Sequence, residues 1–365
     1  MVACFAQEGG TGDRAMEATL DIGFVHNTDL DPGERYLASL PRVRTVLRFA
    51  NLIELFKAYD ALANSRQAVL YWTGLTSLCL AAATLAGITT ELLVAALQRA
   101  VPVRLVVLFE VGAVLAIALA VGPWMANVRN KWLTARFVTE QIRQWHFQIF
   151  LDGELISQAT HDEARFEAIR EARWAQFQSQ AANAEGTMPS FADGANIGFH
   201  HPVSAYIDDS SATEAFQAYN DLRFSKQLAY FKLKRDDFAK REEWSEYVAR
   251  WTLFSAVLSA AGQLLLVLLE SKGFPTGHIR SWISAAVIGL LILNASVRVY
   301  QNGLQLSEQR ERFDTKWVGL VSLKAQFDVA LTTEQKLRVM RDVELLEVEE
   351  LREFLKQMRR ASFLL

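Results

Sequence analysis

Charged and uncharged positions along this chain separate into long blocks. Four stretches carry no charge at all: Gln67 to Thr90 with 24 residues, Val111 to Val128 with 18, Trp251 to Leu269 with 19 and Ser281 to Val297 with 17. A helix that crosses a hydrocarbon core needs about 20 largely apolar residues, within a range of roughly 17 to 25, and each of the four meets it. A helix of a soluble bundle keeps a polar stripe on one face, whereas Leu75 to Ile88 and Val111 to Gly122 are apolar or small all the way round. The pattern predicts an all-α membrane protein with four transmembrane helices as two hairpins, at about 67–90 with 105–128 and 251–269 with 281–297, and with long cytosolic helical extensions.

The segments between the spans are polar but periodic. Residues 1–41 hold Gly, Asp and Pro without sustained repeat and read as a loosely ordered arm. From Arg42 a helical pattern sets in, with Leu52, Phe56, Tyr59 and Ala63 on one face, and it leads into the first span. After the second span, Arg129 to Asp152 reads as a helix with aromatic anchors Trp132, Phe137, Trp145 and Phe150, followed by another from about Leu155 to Ala182 with Phe166, Ile169, Trp174 and Phe177. Gly186, Pro189, Gly194, Gly198 and Pro202 then form the densest run of helix breakers. The expected organisation is a first unit over 42–182, a linker over 183–213 and a second unit over 214–365. In the second unit a charge-rich helix over Glu214 to Arg250 feeds the third span, a long helix follows the fourth as far as about Ala330, and a last one covers Thr333 to Met358. That last helix opens on Thr332, Thr333 and Glu334 as a capping signal and ends with Val348, Leu351, Leu355 and Met358 at heptad-like spacing.

Charge adds orientation. The formal net charge of −3 leaves no basic field of the kind nucleic acid binding needs, so nucleic acid is not an expected partner. The start, MVACFAQEGGTGDR, has neither the basic nor the long apolar region of a secretory signal, so the first span is expected to direct its own insertion. Twelve Lys and Arg lie within 15 residues of the outer flanks of the spans and four lie in the two turns. That bias favours the inner membrane of a cell, with both termini and the central segment cytoplasmic. The two cysteines, Cys4 and Cys79, have no evident way to pair, and nothing points to an oxidising compartment.

Candidate chemistry is sparse. P-loop, CxxC, HExxH and GxSxG motifs are all missing, so no catalytic residue, cofactor or metal is expected. The turn Glu8 to Asp13 lacks a following helix of the length a phosphate cradle requires, and His200 and His201 with Asp208 and Asp209 read as a solvated loop in preference to metal ligands. Polar residues at membrane depth are costly and therefore functional candidates; here they are Glu110, Gln263 and Asn294, as pore-lining or interhelical groups. Small residues four apart mark candidate helix contacts, since close backbone approach supplies packing energy in lipid: Ala83 with Gly87, Gly112 with Ala116, Ala118 with Gly122, Ser255 with Ser259, and Ala285 with Gly289.

The two halves share short matches. Ala126 to Arg129 corresponds to Ala295 to Arg298, Trp72 and Thr73 to Trp251 and Thr252, and Glu140, Gln141 and Arg143 approximately to Glu308, Gln309 and Arg312, which suggests a duplication. Two membrane helices flanked by long cytosolic helices, together with Arg129, Glu140 and Arg143 in VRNKWLTARFVTEQIRQWHF and the C-terminal VELLEVEELREFL from Val343 to Leu355, resemble the SLATT group. These are two-helix membrane effector domains that accompany SMODS nucleotidyltransferases and SLOG sensor domains in bacterial conflict systems. The resemblance covers roughly 42–180 and 214–360. It implies a tandem, non-enzymatic, homo-oligomeric effector that forms pores or perturbs the bilayer on a nucleotide signal, in anti-phage defence, with a separate SLOG-like or nucleotidyltransferase partner. Family members have no agreed catalytic residues, so none is carried over. Two other readings follow from the residues: a membrane scaffold recruiting cytosolic partners through the heptad-like end near Leu351, and a small transporter, disfavoured because the spans hold few polar groups and one proline, Pro123, near an end.

Overall fold

A computed structural model of the chain describes residues 29–96, 103–121, 123–186, 199–274 and 277–360. These form twelve α-helices: α1 Glu34–Ser39, α2 Arg44–Leu47, α3 Ala50–Ala96, α4 Val103–Val121, α5 Pro123–Gln148, α6 Gly153–His161, α7 Glu163–Gly186, α8 Asp209–Ala218, α9 Lys226–Glu270, α10 Gly277–Leu304, α11 Leu306–Val329 and α12 Thr333–Arg360. A 3₁₀ turn at Ile149–Leu151 follows α5, and a π-helical segment, Tyr219–Ser225, joins α8 to α9. No strand occurs among the described residues; the one isolated bridge pairs Asp152 with Ser204. The protein is all-helical, as expected. Cys4, the Glu8 to Asp13 turn and Gly122 lie outside the described residues.

The contacts divide the chain into two compact units, each drawing on both halves of the sequence. Unit 1 comprises residues up to Ala63, Leu133–Arg235 and Glu311–Lys356; unit 2 comprises Asn64–Trp132, Asp236–Arg310 and the C-terminal residues from Gln357. This grouping of contacts follows other lines than the consecutive 42–182 and 214–365 units read from sequence.

Unit 1 is built as a water-soluble helical domain is built. Every residue of α5 and its 3₁₀ extension from Gln141 to Phe150 is buried, which makes this the central element. Trp145 stands edge-on to Trp174 of α7 at 5.0 Å between ring centroids, Phe49 is edge-on to Trp174 at 5.4 Å, and Phe177 stacks on Trp174 at 5.2 Å. Such pairs add roughly 0.5–1.5 kcal/mol each beyond area burial. The predicted anchors Phe137, Trp145 and Phe150 are thus core residues of a protein domain, as are Leu52, Phe56 and Ala63 on the inner face of α3.

Several predicted elements differ in detail. The arm read over 1–41 already contributes buried Asp29, Leu30, Leu37 and Leu40 and the short α1, because its apolar residues find a face of the core that periodicity alone could not reveal. The helix expected over 155–182 breaks at Asp162, whose carboxylate accepts from Arg165 N at 3.0 Å and starts α7. The helix expected from Glu214 starts earlier, at Asp209, where Asp208 accepts from Ser210 N and Ser211 N, both at 3.0 Å. The long helix after the fourth span is interrupted at Gln305, which adopts a left-handed φ of 49° between α10 and α11. The last helix starts where expected, with Gln335 N donating to Thr332 Oγ1 at 3.2 Å, while the reciprocal partner is Gln335, whose Oε1 accepts from Thr332 N at 3.2 Å, and not Glu334.

Residues 199–208, part of the expected linker, are strapped onto the start of α6: Gly153 N donates to Ser204 O at 3.1 Å, Ser204 N to Leu151 O at 3.0 Å and Tyr206 OH to Phe150 O at 2.7 Å. Gly153 is required there, since a Cβ would fall 2.6 Å from Tyr206 N.

Unit 2 has the opposite character. Its α3, α9 and α10 segments are long and apolar enough to cross a membrane, and of the most apolar 18-residue window in each only 17%, 11% and 0% is buried. Leu108, Val114, Phe254, Val257, Leu258, Leu264 and Leu265 all face outward. Soluble monomers rarely expose contiguous apolar patches beyond a few hundred Å². The expected second span falls on α4 and the start of α5, where the shorter apolar run Val107–Ala116 lies.

Candidate functional site

Along the apolar stretches of unit 2 most large side chains point outward, so many inner contacts fall to small and polar residues. Between α3 and α4, Ser77 Oγ donates to Ala116 O at 2.8 Å, and the positions of Gly87 and Gly112 are closed to a side chain. A Cβ on Gly87 would meet the Phe109 ring at 2.4 Å, and one on Gly112 would meet Thr84 Oγ1 at 2.9 Å. Between α9 and α10, Gln263 Nε2 donates to Ser284 Oγ at 2.6 Å, and Asn294 Nδ2 donates to Ala249 O at 2.5 Å and Thr252 Oγ1 at 2.9 Å. In both pairs the partners advance in opposite directions along the two helices.

The predicted polar candidates therefore separate. Gln263 and Asn294 are interhelical groups with partners, and Glu110 is exposed on α4. Of the small residues, Gly87, Gly112 and Ala116 lie at a helix contact, and Ser255, Ser259 and Ala285 are half-buried. Ala83 is exposed, one position away from the buried Thr84, and Gly289 has nothing within 4 Å of its Cβ position, so neither marks a contact within this chain. Spacing identified small residues but not the helical face on which they lie.

Unit 1 holds a feature that sequence reasoning missed, a set of enclosed ion pairs. Arg223 Nε and Nη2 reach Glu344 Oε1 and Oε2 at 2.9 and 3.1 Å, and Tyr219 OH donates to Glu344 Oε1 at 2.8 Å. Arg143 lies 3.0 Å from Asp29 and 2.9 Å from Glu140, which also pairs with Arg136 at 2.5 Å. Lys316 reaches Glu347 at 2.6 Å and Glu350 at 3.4 Å. Arg143 and Arg223 also sit over the Phe56 and Phe147 rings, at 5.0 and 4.7 Å. Tyr219 and Arg223, four residues apart, are both buried on the π-helical segment.

Burial works against the charge on Arg223, but Glu344 and Glu347 outweigh it and hold its pKa above the usual guanidinium value. Arg143 is raised in the same way, with Asp29 and Glu140 outweighing burial. Burial lifts Asp29 and Glu344 above the ordinary carboxylate range, against the pull of their arginines. Side chains so enclosed offer no access to a substrate. Their chemistry is to tie α5, the π segment and α12 to residues far away in sequence.

The histidines form a second buried group, which corrects the solvated-loop reading of His200 and His201. His201 packs on Trp145 at 4.8 Å and its Nδ1 accepts from Arg173 Nη1 at 3.0 Å; His200 packs on Phe177 at 5.1 Å and its Nε2 meets Gln141 Oε1 at 3.1 Å. Burial first, then the nearby arginines, lowers His146 and His201 to about 3, and burial lowers His200 to about 4. Asp208 caps α8, and no group of three or more His, Cys, Asp or Glu placed to hold a metal occurs among the described residues.

No protein-family model matches the chain, and no curated protein or solved structure gives a significant match. What the fold and its surface define is a class: a helical protein with, among the described residues, three helices long and apolar enough to cross a membrane, together with a charge-laced helical domain.

Proposed function

We propose that the protein is a non-enzymatic membrane effector. In this reading α3 with α4 and α9 with α10 form two antiparallel hairpins, giving four spans, and unit 1 lies in the cytosol with both termini. The observation that carries the membrane part is the outward-facing apolar surface of α3, α9 and α10, with its small and polar residues turned inward. The sense of the Lys and Arg bias supports the orientation.

The effector part draws on the resemblance to the SLATT group. The spans of one chain enclose few polar groups, and Gln263 and Asn294 already have partners, so a leak requires several copies to reorganise together. The scaffold reading loses support, because its docking residues Val348, Leu351 and Leu355 are buried within unit 1.

The test is dye release from vesicles containing the purified full-length protein, with and without a nucleotide extract from infected cells. Release that depends on protein density in the membrane is expected. Vesicles that stay tight at every density and with every extract refute the effector reading.

A further inference from the structure

Exposed Trp and Tyr side chains on unit 2 stand toward the two ends of its apolar surface, with Phe254 alone among the exposed rings of α9 lying further in. At one end Trp72, Tyr247 and Trp251 are 62%, 61% and 51% exposed; at the other, Trp282 is 62% exposed. The ends are fixed by contacts: Gln301 Nε2 donates to Ser245 Oγ at 2.9 Å and Tyr300 hydrogen-bonds with Tyr71, placing the first group at one level. Arg280 pairs with Glu270 at 3.0 Å, bringing the end of α9 to the start of α10.

At 1.5 Å per residue, Trp251 to Glu270 on α9 spans about 28 Å and Trp282 to Tyr300 on α10 about 27 Å. A bilayer's hydrocarbon core is about 30 Å thick, and amphipathic Trp and Tyr rings settle at its two water interfaces. A water-facing surface gives no reason for large rings to collect at this separation. A protein partner gives none for Trp and Tyr sitting at both ends of a surface that between them is aliphatic apart from Phe254.

We propose that these rings are two interfacial belts, with Trp72, Tyr247 and Trp251 seated in the headgroup layer of one leaflet of a phospholipid bilayer and Trp282 in that of the other. The assignment rests on the membrane reading above and adds to it the depth of each residue.

The experiment is tryptophan quenching of the full-length protein in phosphatidylcholine vesicles whose acyl chains are brominated at successive depths. Bromines nearest the headgroup should quench most, and Trp72→Phe, Trp251→Phe and Trp282→Phe should each lose part of the lipid-quenched emission. An unchanged lipid-quenched fraction in all three variants, with the same rings quenched by aqueous acrylamide or shielded from both quenchers by a second copy, overturns the belts. Should the variants fail to reach the vesicles, the unsubstituted chain still decides, since strongest quenching at the bilayer centre is incompatible with interfacial rings. A protein that does not float with the vesicles sinks both this proposal and the membrane reading, whereas tight vesicles sink the effector reading alone.

Discussion

Replacing Glu344 by alanine should be among the most damaging single changes in unit 1. The Arg223 and Glu344 side chains are 1% and 0% exposed, and the substitution leaves an enclosed guanidinium without the carboxylate it hydrogen-bonds, with the charge of Glu347 as partial compensation. Breaking one side of a buried pair costs about 3–5 kcal/mol, because the surviving charge loses its compensation while its desolvation remains. Tyr219 OH keeps one acceptor, Met340 O at 3.2 Å, so its lost bond adds little. At about 2–4 °C per kcal/mol for a domain of this size, the midpoint of thermal unfolding should fall by about 10 °C.

The double variant Arg223→Met with Glu344→Leu removes both charges and fills the space with apolar atoms. Such replacements of buried pairs are often neutral or stabilising, so the double variant should recover most of the loss. The assay is unfolding of the full chain in detergent micelles followed by near-ultraviolet circular dichroism, run as a double-mutant cycle. A double variant no more stable than Glu344→Ala alone would show that the geometry of the pair, and not the uncompensated charge, accounts for the damage.

Three further outcomes follow from other parts of the molecule. His146 and His201 are held neutral in the folded state at about 3, so below pH 6.5 the unfolded chain binds more protons and stability falls with pH. The two together remove about 4 kcal/mol by pH 5, and His201→Gln should flatten the slope measured by denaturant unfolding between pH 6.5 and 4. Asp29 and Glu344, raised by burial, act in the opposite sense but cancel in that comparison. Gly87→Val must displace the Phe109 ring, 2.4 Å from the new Cβ, and overpacking of this kind costs about 1–3 kcal/mol, whereas Gly289→Ala, with open space around it, should leave the melting midpoint in micelles unchanged. Thr332→Ala removes the cap of α12 and should lower stability by about 1 kcal/mol in the same melt.

The long apolar blocks were legible because their signal is local: an uninterrupted run of uncharged residues needs no partner to be recognised. The same holds for Leu52, Phe56 and Ala63, whose spacing places them on one helical face. The ion pairs were not legible, because Asp29 and Arg143, or Arg223 and Glu344, are more than a hundred residues apart and each alone resembles an ordinary surface charge. Arg136, Glu140 and Arg143 did offer a hint, three charges on one face of a helix otherwise rich in Trp and Phe. The burial of His201 was hidden by its surroundings of Gly and Pro, which describe the backbone near it but not the Trp145 face it covers.

The two units place residue types in opposite ways, and the reversal happens inside single helices. In α3, Leu52, Phe56 and Ala63 are turned inward, but beyond Asn64 the buried positions are Gly74, Ser77, Thr84 and Gly87, while Val69, Trp72, Leu85 and Ile88 face out. In α9 the apolar Phe231 is buried, whereas further on Ala249, Thr252 and Ala256 are inside and Trp251, Phe254 and Leu258 outside. Hydrophobic burial drives the first arrangement only where water surrounds the domain. The second suits surroundings as apolar as leucine, where close approach of small residues and interhelical hydrogen bonds become the available sources of packing energy. A helix that changes from one rule to the other without a break in its backbone fits a change of surroundings along its length, and this is a stronger argument for a bilayer than hydropathy, which records how apolar a segment is but not which way its side chains face.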